Sequence, residues 1–437
     1  MQPLNKPNSL KRVAMATMIG TAIEYFDNYI YTMAAVLIFN HQFFHAADPL
    51  SGQIAALSTL ALTFIARPLG AILFGHFGDR FGRKNTFVIS LLVMGVSTMV
   101  IGLLPTYDSI GIWATLLLCL CRIGQGIGLG GEWGGAALVA IENAPEGKRG
   151  WDGTFPQLGA PLGLLLANGA FLLITDILGS AAMTDWAWRI PFLSSSILVV
   201  IGLYVRLKLA EAPIFVTALD KPQPKTLPMV EVIITHFKPF FLGMLICIAG
   251  YVLFYIIIAF SQIYAKSAPS QSEAGYAMGL GFSPQIFTAL LMYSAVSLAI
   301  SITISGKCID KIGRRIWLIW TTVGVALFGL ALPYFLKNGT TVSLFWFLII
   351  GMGLIGMGYG PLSSFLPELF PTHVRYTGAS LTYNIAGLFG ASVAAIIALP
   401  LNANYGLKGV GIYLTLNAVL SLIGLWFITE TRDRQLL

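Results

Sequence analysis

Apolar stretches of about 20 residues recur along the whole chain, and this recurrence decides the fold class. We read twelve of them, which begin near residues 13, 53, 86, 110, 151, 190, 239, 285, 317, 342, 376 and 409. Hydrophobic residues make up 56% of the sequence and charged residues only 10%, whereas roughly 25% of residues are charged in soluble domains. Because only helices and closed barrels satisfy their backbone hydrogen bonds in lipid, the sequence predicts an all-α membrane protein with twelve transmembrane helices.

The basic residues concentrate in alternate connections between these stretches. When the connections are numbered in turn, 20 of the 26 lysines and arginines fall on the side of the N terminus. Positive residues favour the cytoplasmic side, so we expect both termini in the cytoplasm. The net charge of +7 therefore reflects topology in a lipid bilayer, and we expect no nucleic-acid partner. The cysteine and histidine positions favour neither a disulfide nor a metal site.

The first apolar stretch carries two acids, Glu24 and Asp27. Gly20 and Tyr31 lie on the same helical face as these acids, because residues four, seven and eleven apart return to one side. Counting ~1.5 Å per residue from Val13 puts Glu24 ~17 Å deep in a hydrocarbon core of ~30 Å. A charge at that depth costs roughly 3 kcal/mol unless it faces protein or water, so both acids are candidates for proton coupling. The alternative is that they stay neutral or paired and only pack the helices.

Two arginines lie inside apolar stretches at a similar depth. Arg122 is ~18 Å from the start of its stretch, and Arg67 is ~12–15 Å from the basic turn that follows it. A guanidinium at the membrane centre needs a carboxylate partner, so Arg122 is the first candidate for binding an organic anion and Arg67 is the second. A structural role on backbone carbonyls near Pro68 is the alternative for Arg67. Glu132, ten residues after Arg122, is a third candidate for proton coupling.

Two motifs repeat at nearly equal spacing. GHFGDRFGRK at 75–84 returns as GKCIDKIGRR at 306–315, an offset of 231, and ENAPEGKR at 142–149 matches ELFPTHVR at 368–375, an offset of 226. The two offsets agree closely, so the chain is a duplicated six-helix unit. We expect an N-terminal bundle at 1–207, a proline-rich cytoplasmic linker at 208–238 and a C-terminal bundle at 239–437.

The repeat separates features that both halves share from features that one half has alone. Shifted by 226 residues, Glu24 falls on Gly250 and Arg122 falls on Leu348. The central charges therefore belong to the N-terminal half, while the C-terminal half offers tyrosines and amides that suit a pocket wall. Ordinary helix packing is the alternative for any one aromatic residue. The further predicted substrate-binding residues are Tyr25, Tyr29, Gln125, Trp133, Gln157, Tyr251, Tyr255, Tyr359, Tyr383 and Asn384.

The repeated loop motif resembles the loop after the second helix of the major facilitator superfamily. RPLG at 67–70, RIGQGIGLGGEWGGA at 122–136 and WAWRIPF at 186–192 resemble its metabolite:proton symporter branch, which includes permeases for shikimate, alpha-ketoglutarate, citrate and proline/betaine. The resemblance implies two six-helix lobes, a bacterial inner membrane location, and loops that hold the cytoplasmic side shut. Asp79 can pair with Arg83 or lie at the N terminus of a neighbouring helix. The predicted gating residues are Gly75, Asp79, Arg80, Gly82, Arg83, Glu142, Arg149, Asp310, Arg314, Glu368 and Arg375.

Together, these residues and the resemblance predict a proton-coupled symporter that imports a small organic anion, a mono- or dicarboxylate, by alternating access. We expect a monomer that uses protons as the coupling ion and no other cofactor. Efflux or exchange on the same fold, and uptake of a zwitterionic osmolyte, stay open as alternatives. The repeated gate loops disfavour an uncoupled receptor or channel. An enzyme is disfavoured because the sequence shows no nucleophile–base or metal constellation.

Overall fold

The computed structural model describes residues 9–44, 49–81, 83–207 and 227–434, and most of these residues are helical. Within those ranges the β structure is limited to an isolated bridge between Gln271 and Ala277, so the all-α prediction is confirmed. Gly82 of the predicted gate and residues 208–226 of the predicted linker lie outside the described residues, as does the side chain of Arg83. We call the described residues up to Leu207 the N-terminal half and those from Leu227 onward the C-terminal half.

Six membrane-spanning segments form the N-terminal half. Their bounds are α1 Leu10–Ala34 with a π turn at Ala35–Phe39, α2 Pro49–Phe81, α3 Arg83–Leu103, α4 Ile112–Glu142, α5 Arg149–Gln157 continued by Gly159–Ala182, and α6 Arg189–Leu207. The interruption of α5 lies between Pro156 and Pro161, two residues that disturb the helical hydrogen-bond ladder.

The C-terminal half repeats this arrangement. Its first four segments are α7 Phe237–Tyr255 continued by Ile256–Phe260 and Ser261–Lys266, α8 Pro284–Ile312, α9 Arg314–Lys337 and α10 Thr341–Glu368. The last helical stretch starts at Arg375–Gly387, passes a π turn at Leu388–Ser392 and continues as Val393–Phe427. Gly406 has a φ of 66° inside it, so we call the part before this glycine α11 and the part after it α12.

Twelve crossings follow from these bounds. By length and composition, ten stretches of the described chain qualify as membrane spans, and α1 is not among them. The last of the ten, Thr372–Phe427, has 56 residues and would be about 84 Å long as one helix, which is more than two bilayer cores. Dividing it at Gly406 and counting α1 gives twelve spans, in agreement with the sequence prediction.

The two halves meet along α2 with α11 and along α5 with α8 and α10. Gly75 of α2 makes the first contact possible, because a Cβ atom there would lie 2.9 Å from Thr377 Cα. Glycines of α4 permit a similar approach within the N-terminal half: a Cβ at Gly128 would lie 2.7 Å from Met94 N. The glycine-rich α4 sequence thus forms a close helix–helix surface.

The end of the predicted linker is helical. Pro228–Thr235 forms a short helix that packs against α2 and α11. Glu231 of this helix contacts His373, with Oε1 2.6 Å from Nε2. The segment 227–238 is therefore an ordered part of the fold, whereas the sequence alone predicted only a polar connection.

Candidate functional site

A cavity of about 80 Å³ lies between the two halves. One water molecule occupies only ~10–15 Å³ of such a cavity, so this one has room for several waters or a small solute. The N-terminal half contributes Glu24, Asn28 and Arg67 to its walls, and the C-terminal half contributes tyrosines and apolar side chains. The predicted site residues that line it are Glu24, Tyr25, Arg67, Tyr251, Tyr255, Tyr359 and Tyr383.

Glu24 and Arg67 bring opposite charges to this cavity. Glu24 is 5% exposed and its Oε2 atom has no hydrogen-bond partner. Arg67 is 6% exposed, its Nε atom is also without a partner, and its guanidinium carbon lies 4.4 Å from the centre of the Phe64 ring. Buried polar atoms without partners are rare in folded proteins, so the two side chains are available to a ligand.

Asp27 lies outside the cavity, in a hydrogen-bond network inside the N-terminal half. The hydroxyls of Thr98 and Ser195 donate to its two carboxylate oxygens at 2.7 and 2.6 Å. Gln125 Nε2 donates to the Thr98 hydroxyl at 2.7 Å, and Arg122 Nη1 donates to Gln125 Oε1 at 2.5 Å. Asp27 and Arg122 are therefore linked through two neutral side chains.

Arg122 does not line the cavity either, although the sequence made it the first candidate for the substrate carboxylate. Its guanidinium carbon lies 3.5 Å from the centre of the Tyr31 ring, and its Nε donates to the carbonyl of Thr59 at 3.5 Å. One nitrogen, Nη2, is buried without a partner. In this conformation Arg67, the second candidate, is the arginine that lines the cavity.

Glu132 forms a buried ion pair with Arg206. Arg206 Nη2 contacts Glu132 Oε1, and Arg206 Nη1 donates to Glu132 Oε2 at 3.0 Å and to the Phe87 carbonyl at 2.8 Å. The structure thus gives Glu132, a predicted proton-coupling residue, a fixed arginine partner away from the cavity. Arg206 was not among the predicted site residues, yet it is 1% exposed. Its position at the end of an apolar stretch gave no signal of that burial.

Contacts between the halves close the cavity beside Tyr25 and Tyr383. The Tyr25 hydroxyl donates to the Tyr359 hydroxyl at 2.7 Å, and Gln157 Nε2 donates to the Tyr359 carbonyl at 2.8 Å. Trp133 stacks on Tyr383, with ring centres 3.9 Å apart and planes 11° from parallel. Gln157 and Trp133, both predicted to touch substrate, therefore join the two halves in this conformation.

Two more predicted residues also pack between the halves. Asn384 Nδ2 donates to the Gly130 carbonyl at 3.0 Å. Tyr29 lies with its ring centre 6.1 Å from that of Phe254, and it is 2% exposed. Neither residue lines the cavity.

The GHFGDRFGRK motif, predicted as a loop, instead ends α2 and begins α3. It lies at the termini face, the side of the molecule where α1 begins and α12 ends. The carboxylate of Asp79 accepts the backbone N–H groups of Tyr376 at 3.3 Å and Thr377 at 3.0 Å, and the Thr377 hydroxyl at 2.8 Å. These groups belong to the first turn of α11, where the helix dipole favours an anion. The structure thus places Asp79 at the N terminus of a neighbouring helix, one of its two predicted positions, and the side chain of Arg83, its partner in the other, lies outside the described residues.

The repeated motif forms the matching contact with α5. Asp310 accepts the backbone N–H groups of Gly150 and Trp151, both at 2.9 Å. Two buried ion pairs lie around these contacts. Arg375 Nη1 is 3.4 Å from Glu142 Oε1, and this pair joins the two halves. Arg314 Nη2 is 3.2 Å from Glu368 Oε1 within the C-terminal half. Arg80 is half-buried near the end of α2. The predicted gating residues that the structure describes thus lie at one face, and several of them join the two halves there.

The residues after α12 join this cluster, which the sequence did not predict. Glu430 accepts the backbone N–H groups of Arg314 at 2.9 Å and Arg315 at 3.0 Å, at the start of α9. Partial burial alone would raise the pKa of Glu430, but these N–H groups hold that pKa below its ordinary value. Arg149 Nη1 donates to the Arg434 carbonyl at 2.6 Å, so the C-terminal segment also touches the N-terminal half.

Known proteins resemble this chain over nearly its whole length. A family model described as "Major Facilitator Superfamily" matches residues 17–395. A Haemophilus influenzae protein named "Putative metabolite transport protein" is 86% identical and covers 100% of this chain and 97% of its own length. The Escherichia coli protein named "Inner membrane metabolite transport protein YhjE" is 47% identical over 98% of this chain and 96% of its own length.

More distant relatives carry the names of substrates. The Escherichia coli proteins named "Proline/betaine transporter" and "Shikimate transporter" are 32% and 30% identical over 98% and 94% of this chain, and over 85% and 92% of their own lengths. The solved structure of the proton:xylose symporter XylE bound to 6-bromo-6-deoxy-D-glucose has a TM-score of 0.78 at 16% identity, over 98% of this chain and 97% of that one. It supports the fold alone. On the family match and these near full-length relatives, the chain belongs to the Major Facilitator Superfamily and is a multi-pass membrane transport protein for a metabolite.

Proposed function

We propose that this protein is a proton-coupled symporter that imports a small organic anion, a mono- or dicarboxylate, by alternating access. The observation that carries the proposal is that Arg67 and Glu24 both line one cavity between the halves. A guanidinium fork matches a carboxylate in geometry and charge. A buried acid beside it is a group whose protonation can change when the ligand binds.

The closed face fits one state of an alternating-access cycle. With the termini face in the cytoplasm, as the basic connections predict, the contacts of Asp79 and Asp310 close the cytoplasmic side. In this state of the proposed cycle, solute would enter the cavity from the opposite side of the membrane. Opening the cytoplasmic side requires these hydrogen bonds to break, which makes substrate release a step that the ligand must help to drive.

A zwitterionic osmolyte is the second candidate substrate. The cavity presents an acid and a base together with aromatic rings such as Tyr251, Tyr255 and Phe254, and aromatic faces attract quaternary ammonium groups. Proline/betaine transporters are also among the relatives, at 32% identity. We place the osmolyte second because the proposed coupling needs Glu24 to take up a proton when the substrate binds. A zwitterion has no net charge, so its binding gives Glu24 no electrostatic reason to become protonated beside Arg67.

Uptake into proteoliposomes tests the proposal. With the protein reconstituted and the outside more acidic than the lumen, we expect radiolabelled shikimate or quinate to accumulate above its outside concentration, and protein-free liposomes to accumulate neither. A protonophore should abolish the accumulation, and betaine under the same gradient measures the second candidate. Accumulation of betaine alone would replace the anion by the osmolyte, and loss of preloaded anion under the same gradient would indicate efflux.

A further inference from the structure

The charges buried within the N-terminal half form three acid–arginine pairs of different kinds. Away from the termini face, the side chains described there include three buried acids and three buried arginines. One pair is closed by direct contact, one is connected through neutral side chains, and one is open to the cavity. The pairs are Glu132 with Arg206, Asp27 with Arg122, and Glu24 with Arg67.

The first two pairs need no ligand to satisfy them. Glu132 and Arg206 neutralise each other directly. Each carboxylate oxygen of Asp27 already has a hydroxyl partner, Thr98 at 2.7 Å and Ser195 at 2.6 Å. Neither acid lines the cavity. An arriving anion therefore has no contact through which it would change the charge of Glu132 or Asp27.

The third pair is different because both of its members face the space where a ligand binds. No ion pair within 4.0 Å joins Glu24 to Arg67 among the described side chains, and each has a buried atom without a partner. The charged and titratable groups around Glu24 are Arg67 from α2, Glu132 from α4, Arg206 from α6, Tyr25 on α1, and Tyr251, Tyr255, Tyr359 and Tyr383 from α7, α10 and α11. Because Glu132 and Arg206 cancel, Arg67 is the one uncompensated cation near Glu24.

Binding of an anion to Arg67 would leave two negative charges against one positive charge in a buried cavity. Such an excess is strongly unfavourable in a low-dielectric environment, and protonation of the carboxylate removes it. We propose that Glu24, and not Asp27, takes up the proton that enters with the substrate, one proton for each monoanion. This inference rests on the proposed function.

The charge moved in one cycle follows from this assignment. The proton comes from water on the open side, binds a Glu24 oxygen as the substrate carboxylate binds Arg67, and leaves with the substrate on the other side. One proton and one monoanion together carry no net charge. A dianion that enters with the same single proton carries one negative charge across the membrane.

Isothermal titration calorimetry of the detergent-purified protein tests the assignment. Shikimate, quinate and benzoate serve as monoanionic probes, titrated at several pH values between 5 and 9, each in two buffers of different ionisation enthalpy to count protons taken up. We expect the wild type to approach one proton per anion at the pH values where Glu24 is ionised in the empty cavity, and its anion Kd to rise about tenfold per pH unit there. Glu24→Gln should take up about none and bind anions independently of pH. Asp27→Asn, which removes the other acid of α1, should still take up about one.

Each outcome decides the matter. Monoanion binding to the wild type without proton uptake, or continued uptake of one proton by Glu24→Gln, overturns this inference while leaving pH-driven transport to its own test. Loss of the proton in Asp27→Asn assigns it to Asp27 and overturns the inference too. If Glu24→Gln does not fold, the proton count of the wild type and of Asp27→Asn still decides. Failure of all three anions to bind at pH 5 overturns both this inference and the anion proposal.

Discussion

The Asp79 carboxylate at the end of α2 accepts the backbone N–H of Thr377 at 3.0 Å, in the first turn of α11 in the opposite half. Asp310 does the same for Gly150 at 2.9 Å in the first turn of α5. Each half thus offers an acid to a helix N terminus of the other half. The duplicated motif therefore forms a reciprocal pair of contacts between the halves at the termini face, and we propose that these contacts keep that face closed.

Replacing Asp79 with Asn should weaken this closure. The amide keeps one acceptor oxygen but loses the charge that the helix N terminus stabilises, a loss of about 1–2 kcal/mol. That corresponds to roughly a five- to thirtyfold shift toward the state open at the termini face. Electron–electron distances between spin labels on the ends of α2 and α11, in detergent and without substrate, would report the shift. Asp310→Asn is the matched variant and should act similarly, and unchanged distances in both would contradict the role.

Arg67→Lys and Arg122→Lys should have different effects on anion binding. Arg67 lines the cavity, so losing its planar fork should raise the Kd of a bound carboxylate about tenfold or more. Arg122 packs on Tyr31 and reaches Asp27 only through Gln125 and Thr98. The Arg122 variant should therefore change the Kd less. Calorimetric titrations of the two purified variants with one carboxylate compare them directly, and a larger change for Arg122→Lys would restore the prediction made from the sequence.

Sequence reasoning identified the helices because apolar length is a local property, and it identified Glu24 and Arg67 because deep charges are conspicuous in such stretches. It ranked Arg122 above Arg67 because depth can be counted along a helix, whereas rotation about the helix axis cannot. The partner of Glu132 was missed for a related reason. Arg206 stands at the end of α6, and only the packing of α6 on α1 and α3 shows that its side chain turns inward to reach Glu132.

Glu132→Gln should lower the thermal stability of the protein. It leaves the Arg206 guanidinium buried with the Phe87 carbonyl and a neutral amide in place of a carboxylate, and breaking a buried ion pair costs about 3–5 kcal/mol. The double variant Glu132→Gln with Arg206→Met removes the orphaned charge and should recover part of that loss. Thermal unfolding followed by intrinsic fluorescence measures both. Equal stability of the wild type and Glu132→Gln would show that the pair contributes little.

Glu430→Gln should destabilise the protein at neutral pH and have no effect in acid. The backbone N–H groups of Arg314 and Arg315 favour the ionised carboxylate and hold its pKa below the ordinary value, despite partial burial. A group whose pKa is lower in the folded state contributes stability above its unfolded pKa, roughly 4.3, and loses that contribution as the pH falls through the folded value.

The difference in Tm between wild type and variant should therefore be full at pH 7 and shrink steadily below about pH 4. Thermal unfolding between pH 3.5 and 7 gives this profile. A Tm difference that stays constant across this range would mean that the hydrogen-bond geometry of Glu430 matters and its charge does not.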